Sequence, residues 1–135
     1  MKQAIVNGIV HTGDEILNKA VVIIENGIII SVQNEIPEAV NLIDLKGKHL
    51  SAGFIDIQIN GGQKLYFSQY PTEETIQDIY ETSLKFGTTH TLPCLISSSN
   101  ETILQGIEAI RSYRTKHNNG VMGMHLEGPF LNPLK

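Results

Sequence analysis

Apolar residues fall into two rhythms along the chain. Up to about residue 50 they come in short runs without a helical period, at residues 4–10, 21–25 and 28–32, then at 42–45 and 49–50. The second and third runs flank Asn26-Gly27. A two-residue hairpin turn needs positive φ at both central positions, and Asn-Gly supplies them at least cost, so a hairpin is predicted there. Gly13-Asp14 marks another turn, and the segments on either side of Gly47 predict a further strand pair. Residues 1–50 therefore read as a small β module.

From Ser51 onward strand and helix patterns alternate. A strand is predicted at 54–60. Thr72 caps a helix with Glu73 and Glu74 in its first turn, where negative charge complements the helix dipole. Ile76, Ile79, Tyr80 and Leu84 form its apolar stripe, and Gly87 ends it. A second strand follows at 88–95. Ser98 with Glu101 then forms a capping box ahead of a helix whose stripe is Ile103, Leu104, Ile107 and Ile110. Asn118-Asn119-Gly120 breaks that helix, and a third strand is predicted at 121–127. Strands recurring about every 33 residues with helices between them predict a parallel sheet with right-handed crossovers.

Alternate side chains of a strand share a face. Strict alternation puts Ile55, Ile57 and Ile59 on one face, and Phe54, Asp56, Gln58 and Asn60 on the other. In the third strand it groups Met122, Met124 and Leu126 against Val121, Gly123, His125 and Glu127. Each strand thus gains a face that turns polar toward its C-terminal end. A parallel strand covered on both sides is ordinarily apolar on both, and inward polar groups there need partners. In a (β/α)8 barrel those strand ends line the active site. The alternative is an open sheet whose polar face meets solvent.

Composition narrows the field. Hydrophobic residues make up 41% and charged residues 18%, the balance of a folding chain. A net charge of −4 lacks the basic face of a nucleic-acid binder. No apolar run reaches the length of a signal region or a membrane span, so a cytoplasmic protein without membrane contact is expected. One cysteine, Cys94, excludes an internal disulfide.

His125-Leu126-Glu127-Gly128-Pro129 is the sharpest chemical signal. His125 and Glu127 share a strand face, and an inward imidazole beside a carboxylate suits a divalent metal. A structural hydrogen bond between the two is the other reading. Gln58 and Asn60 occupy the matching place on the first strand; as neutral amides they orient water or substrate, or bond to loop backbone. Gly61-Gly62 is a turn, not a phosphate loop. His11, His49, His90 and His117 lack ligand spacing, and Cys94 reads as core.

Residues 51–61, Ser-Ala-Gly-Phe-Ile-Asp-Ile-Gln-Ile-Asn-Gly, and residues 125–133, His-Leu-Glu-Gly-Pro-Phe-Leu-Asn-Pro, resemble the two signature stretches of the N-acetylglucosamine-6-phosphate deacetylase family, within the amidohydrolase superfamily. The Asn26-Gly27 hairpin, Gly87-Thr88-Thr89 and Leu92-Pro93-Cys94-Leu95 fit the same family, so the resemblance covers nearly the whole chain. It implies an α/β fold: the first strands of a (β/α)8 TIM-like barrel over 51–135, truncated, preceded by part of a β-sandwich module over 1–50. It implies hydrolysis of the acetamide of N-acetylglucosamine 6-phosphate to glucosamine 6-phosphate and acetate, in amino-sugar catabolism. One divalent metal, zinc, is implied, with Glu127 as ligand and Gln58, Asn60 and His125 lining the site. The two histidine ligands, the catalytic aspartate and most substrate contacts fall outside these residues. Gln58-Ile59-Asn60 stands where many amidohydrolases carry His-x-His, which speaks for a single metal. A homodimer is implied for the complete enzyme, with a sugar phosphate as its small-molecule partner, and residues 1–135 alone should be inactive. The alternatives are an amidohydrolase acting on a different amide, or a non-catalytic truncated chain.

Overall fold

The computed structural model describes residues 2–132 and 134 and divides into two compact units, Met1–Ala52 and Gly53–Lys135. Pro133, the last residue of the second motif, lies outside the described residues.

The first unit consists of β1 (Lys2–Val6), β2 (Ile9–His11), β3 (Ile16–Leu17), β4 (Val21–Glu25), β5 (Ile28–Gln33), β6 (Asn41–Asp44) and β7 (His49–Ser51). One mixed sheet has the order β5-β4-β1-β6 and a smaller one the order β3-β2-β7. The predicted hairpin is present: β4 and β5 pair antiparallel around Asn26 (φ 52°) and Gly27 (φ 81°). Residues 4–10 are two strands, not one run, because Asn7 takes a positive φ of 56° between them. The pair predicted around Gly47 does not form. β6 instead pairs parallel with β1, and β7 parallel with β2. The cause is a shared corner. Leu45 N–H donates to the Val6 carbonyl at 2.9 Å, Gly47 N–H to Asn7 at 2.7 Å, and Ile9 N–H to Lys48 at 3.0 Å. Both chains therefore turn together from one sheet into the other. A Cβ on Gly8 would meet the Lys48 carbonyl oxygen at 2.9 Å, so the corner needs glycine there. Ile5 and Val22 from one sheet, and Val10 from the other, form the core between them.

The second unit contains β8 (Phe54–Ile59), α1 (Glu73–Lys85), β9 (Thr88–Ile96), α2 (Asn100–Lys116) and β10 (His125–Glu127). The strands form a parallel sheet of order β10-β9-β8. Thr72 caps α1 by accepting from Thr75 N–H, as predicted, and Gly87 (φ 85°) follows its end. The cap of α2 is Ser99, which accepts from Thr102 N–H; Ser98 instead donates to the Ile96 carbonyl. The helix also buries only part of the predicted stripe. Its buried residues are Ile103, Gly106, Ile110 and Tyr113, while the expected Leu104 is 65% exposed. Leu84 of α1 is likewise exposed, and Thr75 and Ser83 take its place beside Ile76 and Ile79. Phe67, Ile76, Ile79, Leu95, Ile110, Tyr113 and Val121 form the core, with Ile59, Met124 and Leu126 against it.

Strict alternation fails in both outer strands, and β9 is the reason. Asp56 pairs with Thr91 and Ile59 with Pro93, so Ile57 and Gln58 stand opposite Leu92 alone. This bulge carries Gln58 to the opposite face from Asp56 and Ile59. Only Ile59 of the three predicted isoleucines joins the core; Ile55 and Ile57 are exposed. On the other side Val121 bridges Thr91 while His125 pairs with Cys94. Met122, Gly123 and Met124 must then span what Leu92 and Pro93 span on β9. Pro93 also offers no N–H to a ladder. The third strand is therefore His125–Glu127 and not 121–127, and Val121 lies in the helix-side core, opposite His125 and Glu127.

Gly120 seats the chain for that bridge. Its carbonyl accepts from Thr91 N–H at 2.9 Å, and a Cβ would stand 1.7 Å from the Thr89 carbonyl oxygen. Backbone cannot yield as a flexible side chain does. Gly120→Ala should therefore destabilise the chain by about 2 kcal/mol or more, within the range for overpacking. Thermal melting followed by circular dichroism reads this; an unchanged midpoint would contradict the close approach.

Candidate active site

Three neighbouring strands deliver polar side chains to the sheet face away from the helices. Glu127 comes from β10, Cys94 from the middle strand β9, and Gln58 from the bulge of β8. Gln58 Nε2 donates to Glu127 Oε2 at 2.8 Å, and Cys94 Sγ lies 3.8 Å from the same oxygen. Glu127 Oε1 accepts no hydrogen bond among the described residues. The main chain at this point is also held. Ser97 Oγ donates to the Glu127 carbonyl at 3.0 Å, and Gly128 adopts φ 101° with space for a Cβ filled by Ser97 Oγ at 2.0 Å.

The expected site residues are only partly assembled. Gln58 and Glu127 meet directly. His125 shares the face of Glu127 through its register with Cys94, but makes no hydrogen bond among the described residues. Asn60 follows the end of β8; its carbonyl accepts from Phe67 N–H at 2.9 Å, and its side-chain Oδ1 is buried without a partner. Among the described residues no three His, Cys, Asp or Glu side chains cluster as a metal site. On this face Glu127 Oε1 is an anionic oxygen without a hydrogen-bond partner among the described residues.

Cys94 was read from the sequence as core, and it is fully buried. It nevertheless touches the site. The missed signal is its register two residues before Ile96, the partner of Glu127, which no single-strand pattern reveals. His11 and His49 also meet unexpectedly, with Nε2 and Nδ1 2.7 Å apart, because β2 and β7 run side by side. They belong to the first unit and have no acidic partner in an ion pair among the described residues.

Burial pushes the Cys94 thiol up, and the nearby Glu127 carboxylate adds to the effect. The thiol is therefore neutral at pH 7. Because the raised folded-state value favours the protonated form, its stabilising contribution is complete below the ordinary thiol range. It is lost as pH rises through the folded value. Alkylation of native Cys94 near pH 8 should be far slower than that of the unfolded chain, and stability should decline above about pH 9. A rapid native reaction at the rate of a free thiol would show that the side chain is not sealed.

Comparison with known proteins places these features. Residues 3–50 match the family described as NagA composite domain. The chain is 39% identical over 134 residues to N-acetylglucosamine-6-phosphate deacetylase of Haemophilus influenzae, covering 98% of this chain and 35% of that protein. It is 38% identical over 86 residues to N-acetylgalactosamine-6-phosphate deacetylase of a Shewanella species, covering 64% of this chain and 22% of the relative. The crystal structure of N-acetylglucosamine-6-phosphate deacetylase from Pasteurella multocida superposes with a TM-score of 0.94 at 33% identity, over 99% of this chain and 36% of that one. The chain thus spans about a third of the length of the Haemophilus influenzae relative.

Proposed function

We propose that this chain, which is similar in sequence and fold to the N-acetylglucosamine-6-phosphate deacetylases, forms part of a metal-dependent enzyme hydrolysing the acetamide of N-acetylglucosamine 6-phosphate to glucosamine 6-phosphate and acetate. The observation that carries the reading is the match over 98% of the chain together with a carboxylate left half-engaged on the polar sheet face. In this reading residues 51–135 are the opening βα units of a (β/α)8 barrel, and residues 1–50 are part of a β-sandwich module. Support for the second part is the exposure of Ile28 and Ile29, at 67% and 64%, which are apolar enough to need cover. No described helix is long and apolar enough to cross a membrane. The complete enzyme acts in the cytoplasm as a homodimer.

The donor chemistry fits one divalent metal, zinc. Glu127 supplies an anionic oxygen free of other partners, and its short strand places that oxygen rigidly. Gln58 and Asn60 are neutral amides, which orient water or substrate and make poor zinc ligands. A bound metal supplies Lewis acidity toward the amide carbonyl and acidifies water. Among the described residues Glu127 is the credible ligand, where a catalytic zinc site needs three, so further ligands and the proton-transfer group are expected from other parts of the complete enzyme.

In the complete enzyme Glu127→Gln keeps shape but removes the ligand charge. Zinc content and deacetylation should fall together; full zinc with near-normal turnover would make Glu127 structural. Residues 1–135 alone should release no acetate when zinc is added. The match to the galactosamine relative favours a second reading, in which the substrate differs in configuration at one hydroxyl. Comparing kcat/KM for the two N-acetylhexosamine 6-phosphates decides between them.

A further inference from the structure

Resting on the reading of Glu127 as a metal ligand, we propose that Gln58 and Cys94 are positioning residues that hold Glu127 through Oε2, so that Oε1 is the oxygen presented to the metal. The geometry is unusual in its reach. β8 and β10 are not neighbours, since β9 lies between them. Adjacent strands stand about 4.8 Å apart, so the two outer strands are roughly 10 Å apart. Gln58 and Glu127 meet at 2.8 Å only because both are long and the residue between them, Cys94, is small. They close over the thiol, which is fully buried beneath them. The thiol then gives its own weak hydrogen bond to the same oxygen, 3.8 Å away.

Convergence on one oxygen distinguishes this from a general surface contact. The terminal torsion of a glutamate side chain is broad, so an untethered carboxylate presents either oxygen in many orientations. Two donors on Oε2 remove that freedom. Both donors are neutral. A lysine or arginine in the same place would hold the carboxylate more strongly, but would also repel an incoming cation. The ion pairs among the described residues, Lys116–Glu73 and Arg111–Glu108, both lie elsewhere. The Glu127 charge therefore stays available. Outer partners of this kind commonly alter metal affinity by about 10–100-fold when removed.

Cys94 is the chain's single cysteine, so its S–H stretch is a unique infrared marker readable in residues 1–135 without metal. That band should shift in Glu127→Gln, and an unshifted band would overturn the thiol's part. In the complete enzyme, competition against a chelator measures zinc affinity. Gln58→Leu should weaken it about tenfold or more and Cys94→Ala severalfold, whereas Cys94→Ser, which keeps a small donor, should stay near native. Melting of the metal-free protein is followed alongside. Unchanged melting with lost affinity supports positioning; lower melting with intact affinity makes the bridge purely structural and overturns it. If Glu127→Gln itself keeps its zinc, the ligand reading has failed and this proposal with it. If Glu127→Gln loses zinc while Gln58→Leu and Cys94→Ala do not, the ligand reading stands and only the positioning role is lost.

Discussion

The slipped register on either side of Leu92-Pro93 is the constraint on which the candidate site depends. β9 is the middle strand, and each neighbour carries one residue more than β9 does past this point. In a sheet, one extra residue exchanges the two faces. Counted from Asp56 without the bulge, Gln58 would fall on the helix side. Counted from Val121 without the extra residue, so would His125 and Glu127. Both slips occur opposite the same pair, and both bring polar side chains to the face that holds Cys94. A regular ladder would bury Gln58 and Glu127 against Ile76 and Ile79, an expensive place for an amide and a carboxylate.

Long-period features were legible in the sequence because they are local. The Asn26-Gly27 hairpin, the Thr72 cap, the alternation of strand and helix, and the polar ends of the outer strands all follow from torsional or solvation preferences of a few adjacent residues. What escaped was set by partners. Strict alternation named Gln58, His125 and Glu127 as residues of one polar face but named the wrong companions for them, since it assumed unbroken ladders. The pairing of 42–45 with 49–50 failed similarly: Gly47 did mark a turn, yet each flanking segment found a better partner in β1 or β2. Cys94 looked like core in sequence and is core by burial. Its contact with Glu127 depends on the slip of β10, and the bulge of β8 adds Gln58.

The α2 helix departs from the sequence pattern both at its cap and along its buried stripe. Ser98 and Ser99 are both capping residues, and the choice falls to Ser99 because Ser98 is engaged with the Ile96 carbonyl at the end of β9. Ile103 and Ile110 are buried as the pattern predicts, while Gly106 and Tyr113 replace Leu104 and Ile107 in the rest of the stripe. Gly106 faces the sheet, where a Cβ would lie 2.6 Å from Leu95 Cδ1, and Leu104 faces out. The far end is held to α1 as well. The Lys116 ammonium beside Glu73 and the Ser112 hydroxyl hold the Glu73 carboxyl below its usual range.

By the resemblance, Gln58-Ile59-Asn60 stands where many amidohydrolases carry His-x-His, and the difference has a physical meaning under the proposed role of Gln58. A histidine at position 58 would compete for a cation or, when protonated, pair with Glu127 and cancel its charge. Glutamine does neither, and its amide reaches across β9 to the carboxylate. Holding a carboxylate across a neighbouring strand therefore requires a long, neutral donor above a small residue. Gln58 and Cys94 meet both conditions. The amide that would be a poor ligand is for that reason a good support: it fixes the direction of the charge without sharing it.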